Sequence, residues 1–164
     1  MTYEELLIES DNSGLIAKEK NLQAHDGRLR GNRVAIRQSI QSEKKKACVL
    51  AEELGHYHTS SGDILDQQSI GNRKQENKAR MWAYDKMIGL CGIIDCCKRG
   101  ISTIHDAADY CGVTEQFMIE AIKAYRLKYG ICTQYKGYTI YFEPWIGIMQ
   151  KIGEGTYEKE EAIR

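Results

Sequence analysis

The sequence predicts an α+β fold. A short antiparallel sheet with two long helices comes first, then a helix-turn-helix-like pair and a C-terminal β-hairpin. Three observations predict it. Val34, Ile36 and Ile40 point one way while Arg33, Arg37 and Ser39 point the other, a period of two that marks a half-buried sheet. From Ser42 onward the apolar period becomes helical, and Ala79, Ala83, Met87, Leu90 and Ile94 form one stripe. Pro144 is the only proline, which leaves room for long uninterrupted elements.

The elements follow in order. Tyr3 to Glu9 reads as a short helix, and Asp11-Asn12-Ser13-Gly14 ends it with turn chemistry. Leu15 to Leu22 fits a strand or a loop. Asp26-Gly27 and Gly31-Asn32 are turn signals that frame a hairpin from Arg28 to Ile40. Ser42 can cap a helix running to His58, with Glu43 in the first turn where the helix dipole favours a carboxylate. Thr59-Ser60-Ser61-Gly62 breaks it, and a linker spans Asp63 to Asn72. A long helix from Arg73 to Lys98 contains Gly89 and Gly92, which can bend it. Thr103 and Thr114 are placed to cap two helices joined at Gly112-Val113, and Gly130 ends the second. A Lys136-Gly137 turn then joins two short strands. The charged tail from Gly153 lacks apolar period and is expected to fray.

Composition excludes several function classes. The 164 residues are 42% apolar and 28% charged, enough for a single core without disulfide staples. Lys plus Arg and Asp plus Glu both total 23, so the simplest signature of a nucleic-acid or anionic-membrane surface is missing. No apolar run is long enough for a membrane span and no export signal is visible, so a cytoplasmic location is expected. The six cysteines include no C-x-x-C pair and are expected as reduced, mostly buried thiols.

The segment Ala51-Glu52-Glu53-Leu54-Gly55-His56-Tyr57-His58 carries chemistry. On a helix Glu52 and His56 stack one turn apart, with Glu53 at the edge of the same face. Leu50, Leu54 and Tyr57 fall on the opposite side. This is the layout of a zinc-protease helix, in which two residues one turn apart bind the metal and the Glu after the first polarises the attacking water. The usual pattern is H-E-x-x-H, and here it reads E-E-x-x-H. A solvated Glu-Glu-His face would look the same. Gly55 argues for more, because glycine inside a helix costs about 0.5–1 kcal/mol and implies close approach of another group. Carrying the buried stripe back one turn from Ala79 lands on Glu76. A carboxylate there is either a shared metal ligand or a solvated residue at the helix start. His58 faces away from the pair, while His25, in a turn, could reach in.

Cys48-Val49-Leu50-Ala51-Glu52-Glu53-Leu54-Gly55-His56-Tyr57, followed by Gln75-Glu76-Asn77-Lys78-Ala79-Arg80-Met81-Trp82-Ala83, resembles the ImmA/IrrE family of zinc metallopeptidases. Its pattern is roughly l-A-H-E-l-G-H, then a helix with E-x-x-A-x-x-F-A. The strand Asn32 to Ile36 before the active helix fits the family order, and the match covers residues 3–90 best. The resemblance implies a small zincin-like core over residues 1–98, a lobe over 99–152 packed on it, and the tail 153–164. It implies that His56 and Glu76 bind zinc or another divalent metal, that Glu53 is the general base, and that Glu52 stands where the family has its first histidine. Two carboxylates and one imidazole make a harder, less cationic site. Phage-borne relatives look similar in carrying Glu there. The implied substrate is a partner protein, a phage or mobile-element transcriptional repressor.

Arg33 and Arg37 supply a half-polar strand that could take substrate as an added strand, or form a solvated face. Lys44-Lys45-Lys46 reads mainly as a solvated run, and Cys48 as buried packing beside the site. The helix pair at 102–129 opens its second helix with Glu115 and carries Glu120, so DNA binding is not expected of it. The rival function is a non-catalytic antirepressor that captures its partner intact. A DNA-binding protein on a vestigial metal fold is a third.

Overall fold

A computed structural model describes residues 1–59, 70–152 and 156–163. The chain forms two compact units, Met1–Met87 and Ile88–Arg164.

In the first unit, helix α1 spans Tyr3–Asn12. Thr2 caps it by accepting from the Glu5 N–H, while the Glu5 carboxylate accepts from the Thr2 N–H at 2.8 Å. Three strands follow, β1 Ile16–Lys20, β2 Gly27–Arg30 and β3 Arg33–Arg37. Their order is β1-β3-β2. β2 and β3 form the expected antiparallel hairpin, turned at Gly31-Asn32. β1, left open between strand and loop by its composition, pairs parallel to β3 from Ile16↔Arg33 to Lys20↔Arg37. The sheet is therefore mixed rather than antiparallel. Arg33 and Arg37 also lie on the central strand, which has no free edge for an added strand. The edges belong to β1 and β2.

The inner face of the sheet buries Val34 and Ile36, and the core continues through Leu6, Leu15, Leu50 and Leu54. Helix α2 spans Glu43–Thr59, started by Ser42 Oγ accepting from the Lys45 N–H at 3.3 Å. Helix α3 spans Ile70–Met87 and packs on α2. Of the expected linker from Asp63 to Asn72, residues 70–72 open α3 and the remainder lies outside the described residues.

The expected single helix from Arg73 to Lys98 is two helices. α3 ends at Met87, and α4 runs Gly89–Lys98. Gly89 has a φ of +60°, a left-handed conformation that interrupts the helical hydrogen-bond ladder. Of the expected apolar stripe, Ala79, Ala83 and Met87 of α3 and Ile94 of α4 are buried, and Leu90 is half-buried.

In the second unit, α5 (Ile104–Cys111) and α6 (Glu115–Tyr129) carry the expected threonine caps. Strands β4 (Cys132–Tyr135) and β5 (Tyr138–Tyr141) make the expected hairpin, with Lys136 and Gly137 both at positive φ. It is half of a larger sheet. β6 (Ile146–Ile152) and β7 (Thr156–Ile163) extend it in the order β4-β5-β6-β7. The tail expected to fray thus forms an edge strand, where a charged composition is compatible with pairing. All six cysteines are free thiols. Among the described residues no helix is long and apolar enough to cross a membrane.

Candidate active site

Helix α2 presents the site, and its N-terminal half is tied down by the lysine run read as solvated. Lys46 Nζ reaches Glu19 on β1 at 2.9 Å and Glu43 at 3.1 Å, and Lys45 meets Asp26 at 3.1 Å. Lys45 and Lys46 are thus structural tethers. Cys48 is buried, as expected.

One turn from the helix end, Gly55 is fully packed against α3. A Cβ there would overlap the Ala79 carbonyl. Its absence lets the two helix backbones approach, and that approach brings His56 to Glu76. His56 Nε2 lies 3.3 Å from Glu76 Oε2. Two donors on one zinc-like ion, each about 2.0–2.2 Å from it, stand about 3–3.5 Å apart in tetrahedral geometry. The His56–Glu76 separation fits two vertices of such a site. The other Glu76 oxygen accepts from Arg80 Nε at 2.8 Å. Arg80 fixes the carboxylate from behind, as outer partners of metal ligands do. Glu52 is close enough to act electrostatically on both Glu53 and Arg80. Among the described residues no group of three or more His, Cys, Asp and Glu side chains is assembled to hold a metal ion. Two donors therefore stand together and Glu52 flanks them.

Glu53 has a different setting. Its carboxylate is half-buried against β2, where a Cβ on Gly27 would come within 2.6 Å of Glu53 Oε1 and 2.7 Å of Val49 Cγ1. The backbone N–H of Leu29 donates to it. Burial first, and the charges of Glu52 and Glu76 after it, push its pKa from 4.5 up to about 7, against the lowering effect of the Leu29 bond. A carboxyl poised near neutrality can both take up and give back a proton.

The other candidates are placed elsewhere. His58 stacks on Trp82 of α3 with ring centroids 4.8 Å apart, which agrees with its facing away from His56. His25 gives its backbone carbonyl to Arg37 Nε at 3.1 Å, and its side chain does not join the pair. Arg37 also meets Asp26 at 3.2 Å, so it braces the turn before β2. Arg33 is exposed on the outer face of the sheet. Gly27, Leu29 and Arg80 were missed by sequence reasoning. Arg80, one turn beyond Glu76, was within its reach. The contacts of Gly27 and Leu29 are long-range and left no local signal beyond a turn.

Neither the curated proteins nor the solved structures compared with the chain gave a match. A family model, the IrrE N-terminal-like domain of the Peptidase M78 family, matches residues 12–123. That span holds every residue of the site and most of the chain. With the E-E-x-x-H helix, the glutamate helix beside it and the mixed sheet before them, the chain belongs to the Peptidase M78 (IrrE N-terminal-like) family.

Proposed function

We propose that this protein is a divalent-metal-dependent endopeptidase that cleaves a partner protein in the cytoplasm, a transcriptional repressor of a phage or mobile element. The observation that carries the reading is the convergence of His56 and Glu76 at 3.3 Å beside a half-buried Glu53 whose pKa is raised to about 7.

His56, Glu76 and Glu52 would hold the ion. A donor set of one imidazole and two carboxylates suits zinc, and harder ions such as manganese as well. When bound, the ion supplies Lewis acidity to water and to the peptide carbonyl. Glu53 takes the proton of the attacking water and passes it to the leaving amine. Its position against Gly27 and Leu29 holds that carboxyl beside the edge of β2, where a peptide can run as an added strand. Arg80 orients Glu76. Incubating the protein with the repressor encoded beside it should give fragments, and Glu53→Gln should stop cleavage while leaving metal bound. Unchanged cleavage by Glu53→Gln removes Glu53 from the role.

Glu52 in the place of a histidine, flanking the pair rather than joining it, favours one alternative, a stoichiometric antirepressor. An intact complex with the repressor, and no fragments, would establish that reading instead.

A further inference from the structure

The outer face of the three-stranded sheet belongs to neither the core nor the candidate metal site. Side chains alternate along each strand, so Lys18 and Lys20 of β1, Arg33 of β3, and Arg28 and Arg30 of β2 share this face. They line one shallow groove with Ile16 and are exposed. Among the described residues none of these five cations meets a carboxylate. The nearby acids are engaged elsewhere, Glu19 with Lys46 and Asp26 with Arg37 and Lys45. In a chain of zero formal charge, five cations on one small face with no carboxylate partner among the described residues are a segregated, mutually repelling field that an anion would relieve.

The position of this face relative to Glu53 selects the anion. β2 is an edge strand. Arg28↔Ala35 and Arg30↔Arg33 face each other across the hairpin, flanking Leu29, whose N–H turns outward to Glu53. A polypeptide lying along that outer edge would pass Glu53 and would pair with the Leu29 N–H by displacing the Glu53 carboxylate from it. Every second side chain of it would stand about 4.5–5.5 Å from Arg28 or Arg30 on the outer face. We propose that the outer face is a specificity surface for an extended acidic segment of the substrate, seated along β2 with Asp or Glu at alternate positions over Arg28 and Arg30. Lys18, Lys20 and Arg33 extend the field to acidic residues beyond the seated strand. A single-stranded nucleic acid is the less favoured occupant, because single strands are held by aromatic stacking and this face carries no aromatic ring among the described residues, and a duplex, held by phosphate contacts alone, is an outcome of the test. The assignment of the segment as substrate rests on the peptidase reading, but the binding does not require catalysis.

The test uses the Glu53→Gln protein in EDTA, so that neither metal nor cleavage enters. Fluorescence anisotropy would follow a labelled decapeptide of alternating Glu and Thr, its isomer with five Glu followed by five Thr, a 20-base-pair duplex and a 20-nucleotide oligothymidine. The alternating peptide is expected to bind about tenfold tighter than the block isomer, to weaken sharply between 50 and 300 mM NaCl, and to lose about tenfold on Arg28→Glu with Arg30→Glu. The milder Arg28→Gln with Arg30→Gln pair should lose part of that, with unchanged circular dichroism. Equal binding of the two peptides, indifference to both variant pairs, or tighter binding of either nucleic acid overturns the proposal. Any of these would leave the peptidase reading standing, since that falls only if repressor cleavage or metal binding fails.

Discussion

Gly55 and Gly27 set the geometry of the site, each by having no side chain. At Gly55 the obstacle to a methyl group is the Ala79 backbone, which cannot swing aside. Gly55→Ala should therefore cost about 2–3 kcal/mol in denaturant unfolding and separate His56 from Glu76. At Gly27 the obstacles are side chains, among them the Glu53 carboxylate. Gly27→Ala should cost less stability but displace Glu53, lowering cleavage by about tenfold or more while metal stoichiometry is kept. Glu53 also leaves a signature in stability. Its pKa in the folded protein, about 7, lies above the ordinary 4.5 because burial disfavours the charged form. The stability it contributes is full below pH 4.5 and is lost as pH rises through 7. Metal-free protein should thus lose about 2–3 kcal/mol between pH 4.5 and 8, and Glu53→Gln should flatten that slope in melts across the range. The sequence already showed Glu52, Glu53 and His56 on one helix face, because helical spacing is local, while Glu76, on another helix, joined them only through the family resemblance. The partners Gly27 and Leu29 were not legible, because they come from a strand that only the folded chain brings to α2.

At the scale of elements, capping chemistry was legible and strand partnership was not. Ser42, Thr103 and Thr114, expected as caps, each accept the backbone N–H three residues on, an interaction within one helical turn; Thr2 does the same for α1 and was not anticipated. The parallel pairing of β1, by contrast, depends on β3, and β7 forms because β6 offers it a ladder. Charged strands such as Thr156–Ile163 show no apolar period, so their sequence looks like a tail. The end of α3 was half-legible. Gly89 was recognised as a place of weakness, but its left-handed backbone stops the helix there. Nothing lies within 4 Å of a Cβ built at Gly89, so the cost of a side chain there is conformational alone. Gly89→Ala should lower unfolding stability by about 1–2 kcal/mol without changing metal binding, measured by denaturation and by metal titration.

For the molecule as a whole, a neutral total charge concealed a sorted one. The first unit sets Glu76 against His56, and cations on the outer face of its sheet. The family match across residues 12–123 extends past Met87 into α4–α6, so it takes in helices of both units. The central claim is that Glu52, His56 and Glu76 hold one divalent ion. It is tested most directly by metal stoichiometry from elemental analysis and zinc titration of the purified protein, alongside His56→Ala and Glu76→Gln. One ion per chain, lost or weakened at least a hundredfold in both variants, is the expected result. A chain that takes up no stoichiometric metal, or variants that bind it as tightly as the parent, would contradict the account.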